Sequence, residues 1–327
     1  MSGHSATLYK KGILQKCAND LFDSVEIVTN DGKNHIDIRQ KIVNFDTIMV
    51  CGGDGTLNTI INQIYDLEKL IVYYPCGTQN DFGRTFIKNK LTGKEILCDI
   101  GVINDKIFMY VCATGTLCEV GYKVKRKEKR KFSKLAYFFS ALGSFKTYSI
   151  QATIRASKIH SATTENKKTS IISKKVDKHS NKIYPSLAID SNSIDRRESA
   201  NIVYENNQLS GEYSLIMVAK SQFVGGRQYS KEKYVCDSGK AQLILVDTPK
   251  GAFARLKLFA RYFRVFVQKK GQKPHKHIAM LDFDSLILLL EEPQILCIDG
   301  EKYDNNSTKH TITIRQKKLK IMVIEPS

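Results

Sequence analysis

Between residues 51 and 56 the chain reads Cys51-Gly52-Gly53-Asp54-Gly55-Thr56, three glycines with a carboxylate among them. Glycines at that density strip a turn of side chains, so that backbone N–H groups can approach an anion closely. A helix starting at such a turn adds the positive end of its dipole, and phosphate is the natural guest. An acidic residue inside a phosphate cradle repels that guest unless it binds a metal ion or takes the proton of an attacking hydroxyl. Asp54 is therefore the informative residue, and phosphoryl transfer is the chemistry it suggests. An isolated Gly-Asp-Gly string is more often a tight turn whose Asp caps a helix, so the flanking elements have to decide.

Those flanks are a strand and a helix. Phe45 to Cys51 is a β-rich apolar run, and after the turn Leu57, Ile60, Ile61, Ile64 and Leu67 recur at helical spacing. Leu70 to Tyr74 is a second strand, stopped by Pro75 and followed by another glycine turn, Cys76-Gly77-Thr78-Gln79-Asn80-Asp81. A parallel βαβ sheet would bring both turns together at the carboxyl ends of its strands, where open α/β sheets bind ligands.

Beyond residue 98 the texture changes to strands with turn punctuation: 106–113, 148–155, 213–219, 241–246, 294–298, 311–314 and 319–324, with helices expected over 133–145 and 249–268. The expected fold is an α/β N-terminal domain with a βαβ sheet, over 1–98, and a mostly antiparallel β-sandwich domain over 99–317. The last strand, 318–327, is expected to return to the first domain, with the active site in the interdomain cleft. Residues 157–205 are rich in Ser, Asn and Lys and read as a flexible surface insertion without catalytic groups. The helical segment near residue 260 carries two stripes. Phe253, Leu256, Ala260, Phe263 and Val267 have a core-like spacing, while Lys257, Arg261 and Arg264 line another face. This reads as a helix packed on a sheet with its basic side in water, a membrane-lying helix being the other possibility.

The two glycine turns together resemble the diacylglycerol kinase and sphingosine kinase group of lipid kinases, similar in fold to the NAD kinases and more distantly to the phosphofructokinases. The hallmark GGDGT is intact at Gly52 to Thr56, and Pro75 to Arg84 follows the P-x-G-T-x-N-D-F-x-R pattern. Weaker matches run through Phe108 to Val120, Tyr234 to Val246 with Asp237-Ser238-Gly239, and Cys297-Ile298-Asp299-Gly300-Glu301, close to a terminal DGE. The sequence departs from the pattern at its start, where only Ser2-Gly3 remains of an Asn-Pro-x-Ser-Gly strand end, and at Thr59 and Gln79.

The resemblance implies an ATP-dependent kinase in which Gly52, Gly53, Gly55, Thr56, Gly77, Thr78 and Asn80 hold the nucleotide and Arg126 reaches its phosphates. Mg²⁺ would bridge the phosphates through water, near Asp54, Asp299 or Glu301 if any carboxylate binds it directly. Asp54 and Asp299 compete for the role of general base, Asp54 slightly ahead, and Glu301 would orient Mg²⁺. Asp81, Arg84 and Glu119 fall on the lipid-substrate side. The acceptor would be a hydroxyl of a membrane lipid such as diacylglycerol or a sphingoid base. An NAD kinase and a catalytically silent nucleotide or lipid sensor are the alternatives.

Composition agrees with a folded protein of about two domains: 327 residues, 42% hydrophobic and 26% charged. The longest apolar runs, such as Leu286 to Leu290, fall far short of the roughly 20 residues that cross a bilayer. The start, Met1-Ser2-Gly3-His4, lacks the pattern of a secretory signal, so the cytoplasm with peripheral membrane association is the expected location. Eight scattered cysteines without a CxxC read as reduced thiols, and the seven histidines, His275 and His277 included, show no metal spacing. A net charge of +18 draws in anions. It is concentrated in the run Lys123 to Lys134, broken only by Glu128, and in Lys250 to Lys276, which has no acidic residue. An anionic membrane surface is the expected partner. Nucleic acid is not, since no recognised binding module appears and Trp is absent. The oligomeric state is not legible, a homodimer included.

Overall fold

In the computed structural model the described residues are 4–29, 37–77, 80–116, 118, 148–157, 159–161, 203–205, 208–230, 235–266 and 275–326. Three short helices open the chain, α1 (His4–Lys10), α2 (Ile13–Asn19) and α3 (Arg39–Ile42). The expected βαβ unit follows as β1 (Thr47–Gly52), α4 (Asp54–Ile64) and β2 (Leu70–Pro75), with α5 (Asp81–Lys88) after the second turn. Helix α4 buries Leu57, Ile61 and Ile64 against the sheet, with Ile60 and Leu67 half-buried beside them, as their spacing predicted.

The strands of the remainder are β3 (Glu95–Ile103), β4 (Lys106–Phe108), β5 (Val111–Gly115), β6 (Ile150–Ala156), β7 (Ile159–Ser161), β8 (Val203–Glu205) and β9 (Gln208–Ala219). They continue as β10 (Phe223–Val224), β11 (Arg227–Gln228) and β12 (Ala241–Asp247), then a helix, α6 (Ala254–Phe266), and β13 (Ile278–Phe283), β14 (Ser285–Leu290), β15 (Leu296–Ile298), β16 (Glu301–Tyr303) and β17 (Lys309–Val323). Among the described residues, all but the β10–β11 hairpin join one branched mixed sheet. Its β1–β2 and β2–β17 pairs are parallel and the rest antiparallel. The chain thus has a two-domain α/β architecture around a large mixed sheet.

Strands β9 and β12 separate two cores. Leu215, Met217, Ile244 and Val246 point into one, shared with α4, α6 and β2. Their neighbours Ile216, Val218, Leu243 and Leu245 point into the other, filled by Ile154, Phe283, Leu286 and Leu288. With both faces covered these strands read as continuous apolar runs, and the period of two still sorts each residue to its side.

Several boundaries differ from expectation. The two predicted strands 311–314 and 319–324 are one long strand, β17, whose pairing with β3 shifts register between Arg315 and Leu319. It runs antiparallel to β14 and β3 before turning parallel to β2. Residue 98 lies inside β3. The helix expected over 249–268 begins only at Ala254, because Gly251 turns the chain at φ 90°. Its faces are also inverted: Leu258, Arg261, Tyr262 and Val265 are buried, whereas Phe253 and Leu256 are exposed. Two apolar stripes wind around this helix, and the one that includes Arg261 became the inner face because Asp247 receives its guanidinium, with a 2.9 Å bond to the Asp247 carbonyl. The predicted helix 133–145, the basic run 123–134 and most of 157–205 lie outside the described residues. All eight cysteines are free thiols, and no described helix is long and apolar enough to cross a membrane.

Candidate active site

The parallel register of β1 and β2 sets Gly52 beside Pro75, so both glycine turns leave the sheet side by side. The Cys76 N–H donates to the Gly52 carbonyl at 2.9 Å. One residue further on the backbones touch: a Cβ on Gly77 would lie 2.4 Å from the Gly53 Cα. Gly52 makes room for the Thr56 side chain, and Gly55 for the Glu301 carboxylate, whose Oε1 would be 2.8 Å from a Cβ placed there. Close approach to backbone demands glycine at Gly77, whereas at Gly55 the neighbour is the movable tip of Glu301. The second turn is shaped by Asn80, itself left-handed at φ 52°. Its Oδ1 accepts the Gly77 N–H at 2.9 Å, and its Nδ2 donates to the carbonyls of Pro75 at 2.9 Å and Gly77 at 3.2 Å.

Asp54 opens α4, and its carboxylate reaches across to the start of α5. Oδ2 accepts the Asp81 N–H at 2.6 Å, while Oδ1 accepts the Tyr73 hydroxyl at 3.3 Å. Burial, followed by the charge of Asp81, pushes the Asp54 pKa up to about 8 against the opposing pull of the Asp81 N–H bond. Asp81 is fully buried, and both its carboxylate oxygens accept the Gly226 N–H, at 2.9 and 3.0 Å. It thus ties α5 to the turn between β10 and β11. Arg84, one turn along α5, lies with Nη1 3.5 Å from the Gly226 carbonyl.

Asp299 and Gly300 form the two-residue turn between β15 and β16, both at positive φ, 47° and 89°. That pair of conformations is what an Asp-Gly hairpin turn supplies. The Asp299 carboxylate accepts backbone N–H bonds from Met109 at 2.6 Å, Tyr110 at 3.0 Å and Val111 at 2.9 Å, and the Asn58 amide of α4 at 2.8 Å. Burial still raises its pKa to about 6, with those donors opposing. The same hairpin carries Glu301, exposed, over Gly55. Tyr110 is buried with its hydroxyl toward Gly300, and the charges of Asp54 and Asp299 add to burial in raising its pKa.

The structure therefore brings together Gly52, Gly53, Asp54, Gly55, Thr56, Gly77, Asn80, Asp81, Asp299 and Glu301, and places Arg84 beside them on α5. Thr78, Glu119 and Arg126 lie outside the described residues. Sequence reasoning missed Asn58, Asn62, Tyr73 and Tyr110. Asn58 and Asn62 carry a legible signal, a polar pair at i, i+4 on the face of α4 one turn beyond Asp54. Both amides donate to the Ile107 carbonyl, and Asn62 Oδ1 accepts the Ile107 N–H. Tyr73 and Tyr110 look like ordinary core aromatics in sequence.

Among the described residues no cationic side chain pairs with Asp54 or Asp299, and no group of three His, Cys, Asp or Glu forms a ready metal cage. Buried acid beside bare backbone suits a polyphosphate that arrives with its own divalent cation, one or two carboxylates sufficing for a largely hydrated Mg²⁺.

Comparison with known proteins accords with this geometry. Residues 2–105 match the family model for the diacylglycerol kinase catalytic domain. The diacylglycerol kinase of Staphylococcus aureus (strain JH9) is 36% identical over 107 residues, 29% of this chain and 34% of that one. That of Staphylococcus carnosus (strain TM300) is 32% identical over 110 residues, 30% of this chain and 36% of that one. The matched stretch is little more than a third of the length of these relatives. A solved Bacillus anthracis str. Sterne structure, provisionally assigned as a diacylglycerol kinase, superposes with a TM-score of 0.65 at 18% identity, over 99% of this chain and 93% of that one. A second from the same organism gives 0.57 at 16%, over 94% and 88%. The resemblance drawn from the two glycine turns thus holds, in sequence over the first third and in fold over the whole chain.

Proposed function

We propose that this chain, whose first third matches the diacylglycerol kinase catalytic domain, is an ATP-dependent kinase that phosphorylates a hydroxyl of a membrane lipid such as diacylglycerol or a sphingoid base. The observation that carries the reading is the backbone contact of the two glycine turns at Gly53 and Gly77, with the Asp54 and Glu301 carboxylates beside them. Helices α4 and α5 start at these two turns, and the main chain at helix N-termini is suited to an anion. Asn80 holds the Gly77 N–H and the carbonyls of Pro75 and Gly77, which fixes Gly77 against Gly53 before a nucleotide arrives.

Glu301, exposed over Gly55, would hold Mg²⁺ together with water, and the ion would neutralise phosphate charge during transfer. Asp54 is the better candidate for the base. Its Oδ2 is held by the Asp81 N–H, which leaves Oδ1, steadied by the Tyr73 hydroxyl, to take the proton of the acceptor hydroxyl. Asp299 has its two oxygens engaged by four N–H donors and acts as a positioning residue that locks the Glu301 hairpin to β5 and α4.

Incubating the chain with labelled ATP, Mg²⁺ and vesicles containing diacylglycerol or a sphingoid base, with NAD as a parallel acceptor, tests this directly. Label is expected on a lipid, falling about a thousandfold in Asp54→Asn. Lipid labelling that survives the substitution refutes the assignment of Asp54, and label on NAD alone refutes the lipid acceptor.

A further inference from the structure

Helix α6 shows two apolar faces, and one of them is buried in the core. Leu258, Tyr262 and Val265 sit in the core, and the Tyr262 hydroxyl donates to the Ser214 carbonyl at 3.1 Å. Arg261 is fastened to Asp247, itself bonded to His277 at 2.7 Å. The helix is thereby held rigidly, with its other stripe turned outward. Phe253 and Leu256, 69% and 66% exposed, are the two most exposed large apolar side chains among the described residues. Along the same face Phe259 and Phe263, half-buried, stack with ring centroids 6.1 Å apart.

An aqueous surface gives a folded chain no reason to display such a stripe. Its flanks identify what covers it. Arg255 and Lys257 stand exposed beside Phe253 and Leu256, Arg264 follows two turns later, and the sequence from Lys250 to Lys276 holds no acidic residue. Lys250, at the start of that run, pairs with Glu212, while exposed aromatic and aliphatic groups beside Arg255 and Lys257 make the pattern of a helix lying at a bilayer surface, where the apolar face enters the acyl boundary and the cations meet anionic headgroups. A second copy of the chain is a poor occupant, because a two-fold contact would set Arg255 and Lys257 against their own copies.

We infer that the outward face of α6, led by Phe253 and Leu256 and flanked by Arg255 and Lys257, is the surface by which this protein docks on anionic lipid membranes. The inference rests on the lipid-kinase reading for its purpose, since an enzyme with a membrane-embedded acceptor has to reach it, but the docking itself is separable from catalysis.

Flotation of the full chain with vesicles, without ATP, isolates that docking. Vesicles of phosphatidylcholine mixed with phosphatidylglycerol are expected to carry the protein, more than phosphatidylcholine alone, with release as salt is raised. Phe253→Ser combined with Leu256→Ser should weaken binding at least about tenfold, and Lys257→Glu by a similar factor. These side chains are exposed, so thermal unfolding should not move and phosphorylation of a short-chain, monomerically dispersed acceptor should persist. Undiminished binding by the double variant overturns the inference. So does absence of binding by the native chain to either vesicle, or a dimer in sedimentation that the double variant dissolves. Docking that depends on α6 without phosphorylation of any lipid supports this surface while removing the kinase reading.

Discussion

Asp54 and Asp299 are both buried carboxylates, and their surroundings differ. Asp54 meets one backbone N–H and one hydroxyl, and its pKa rises to about 8; Asp299 meets four N–H donors and rises only to about 6. If Asp54 takes the proton, kcat/KM should climb with pH and level off above about 8, and Asp54→Asn should abolish that limb. Stability should run the other way. The folded chain keeps a proton on Asp54 that the unfolded chain, at the ordinary value of 3.8, has already released. This contribution is therefore complete below about pH 4 and is lost as pH rises through about 8, which urea unfolding at pH 5 and pH 8.5 would show. Asp299→Ala strands three buried backbone donors and should cost about 3 kcal/mol in the same experiment, whereas Asp299→Asn keeps an acceptor and should cost less. Were Asp299→Ala to leave stability unchanged, its positioning role would be wrong.

At the scale of elements, the decisive feature is a register. Pairing Gly52 with Pro75 makes two separate turns into one site, and the contact between Gly53 and Gly77 leaves no space for a side chain. Gly77→Ala would put a methyl 2.4 Å from the Gly53 Cα, where neither partner is a side chain that can rotate away. The turns should part, lowering kcat/KM for ATP about a hundredfold, while the melting temperature moves little because β1 and β2 are unaffected. An equal loss of fold and activity in calorimetry and steady-state kinetics would count against this. The Asp299-Gly300 turn works likewise: both residues sit at positive φ, so a two-residue hairpin delivers Glu301 to Gly55.

For the whole molecule, β17 is the strand that joins the parallel β1–β2 pair to the antiparallel strands. It pairs parallel with β2 in the first domain and antiparallel with β3 and β14. Deleting the chain after Gln316 removes its Leu319–Val323 half, whose Leu319, Ile321 and Val323 are buried in the core shared with α4. That truncation should eliminate the cooperative unfolding transition seen by circular dichroism; a sharp transition retained by the truncated chain would show that the first domain folds without it.

Local chemistry was legible from residue order alone: the glycine turns, the Asp between them, the helix period of Leu57, Ile61 and Ile64, and the Asp-Gly turn at 299 each depend on neighbours a few positions away. The structure alone decided what depends on distant partners. Asp299 became a clamp because Met109, Tyr110 and Val111 aim their N–H groups at it across 188 residues or more. Helix α6 turned Arg261 inward and Phe253 outward because Asp247 of another strand offered a partner for the guanidinium. A helix with two apolar stripes satisfies the 3.6 period whichever way it faces, so only the surface it packs against could choose.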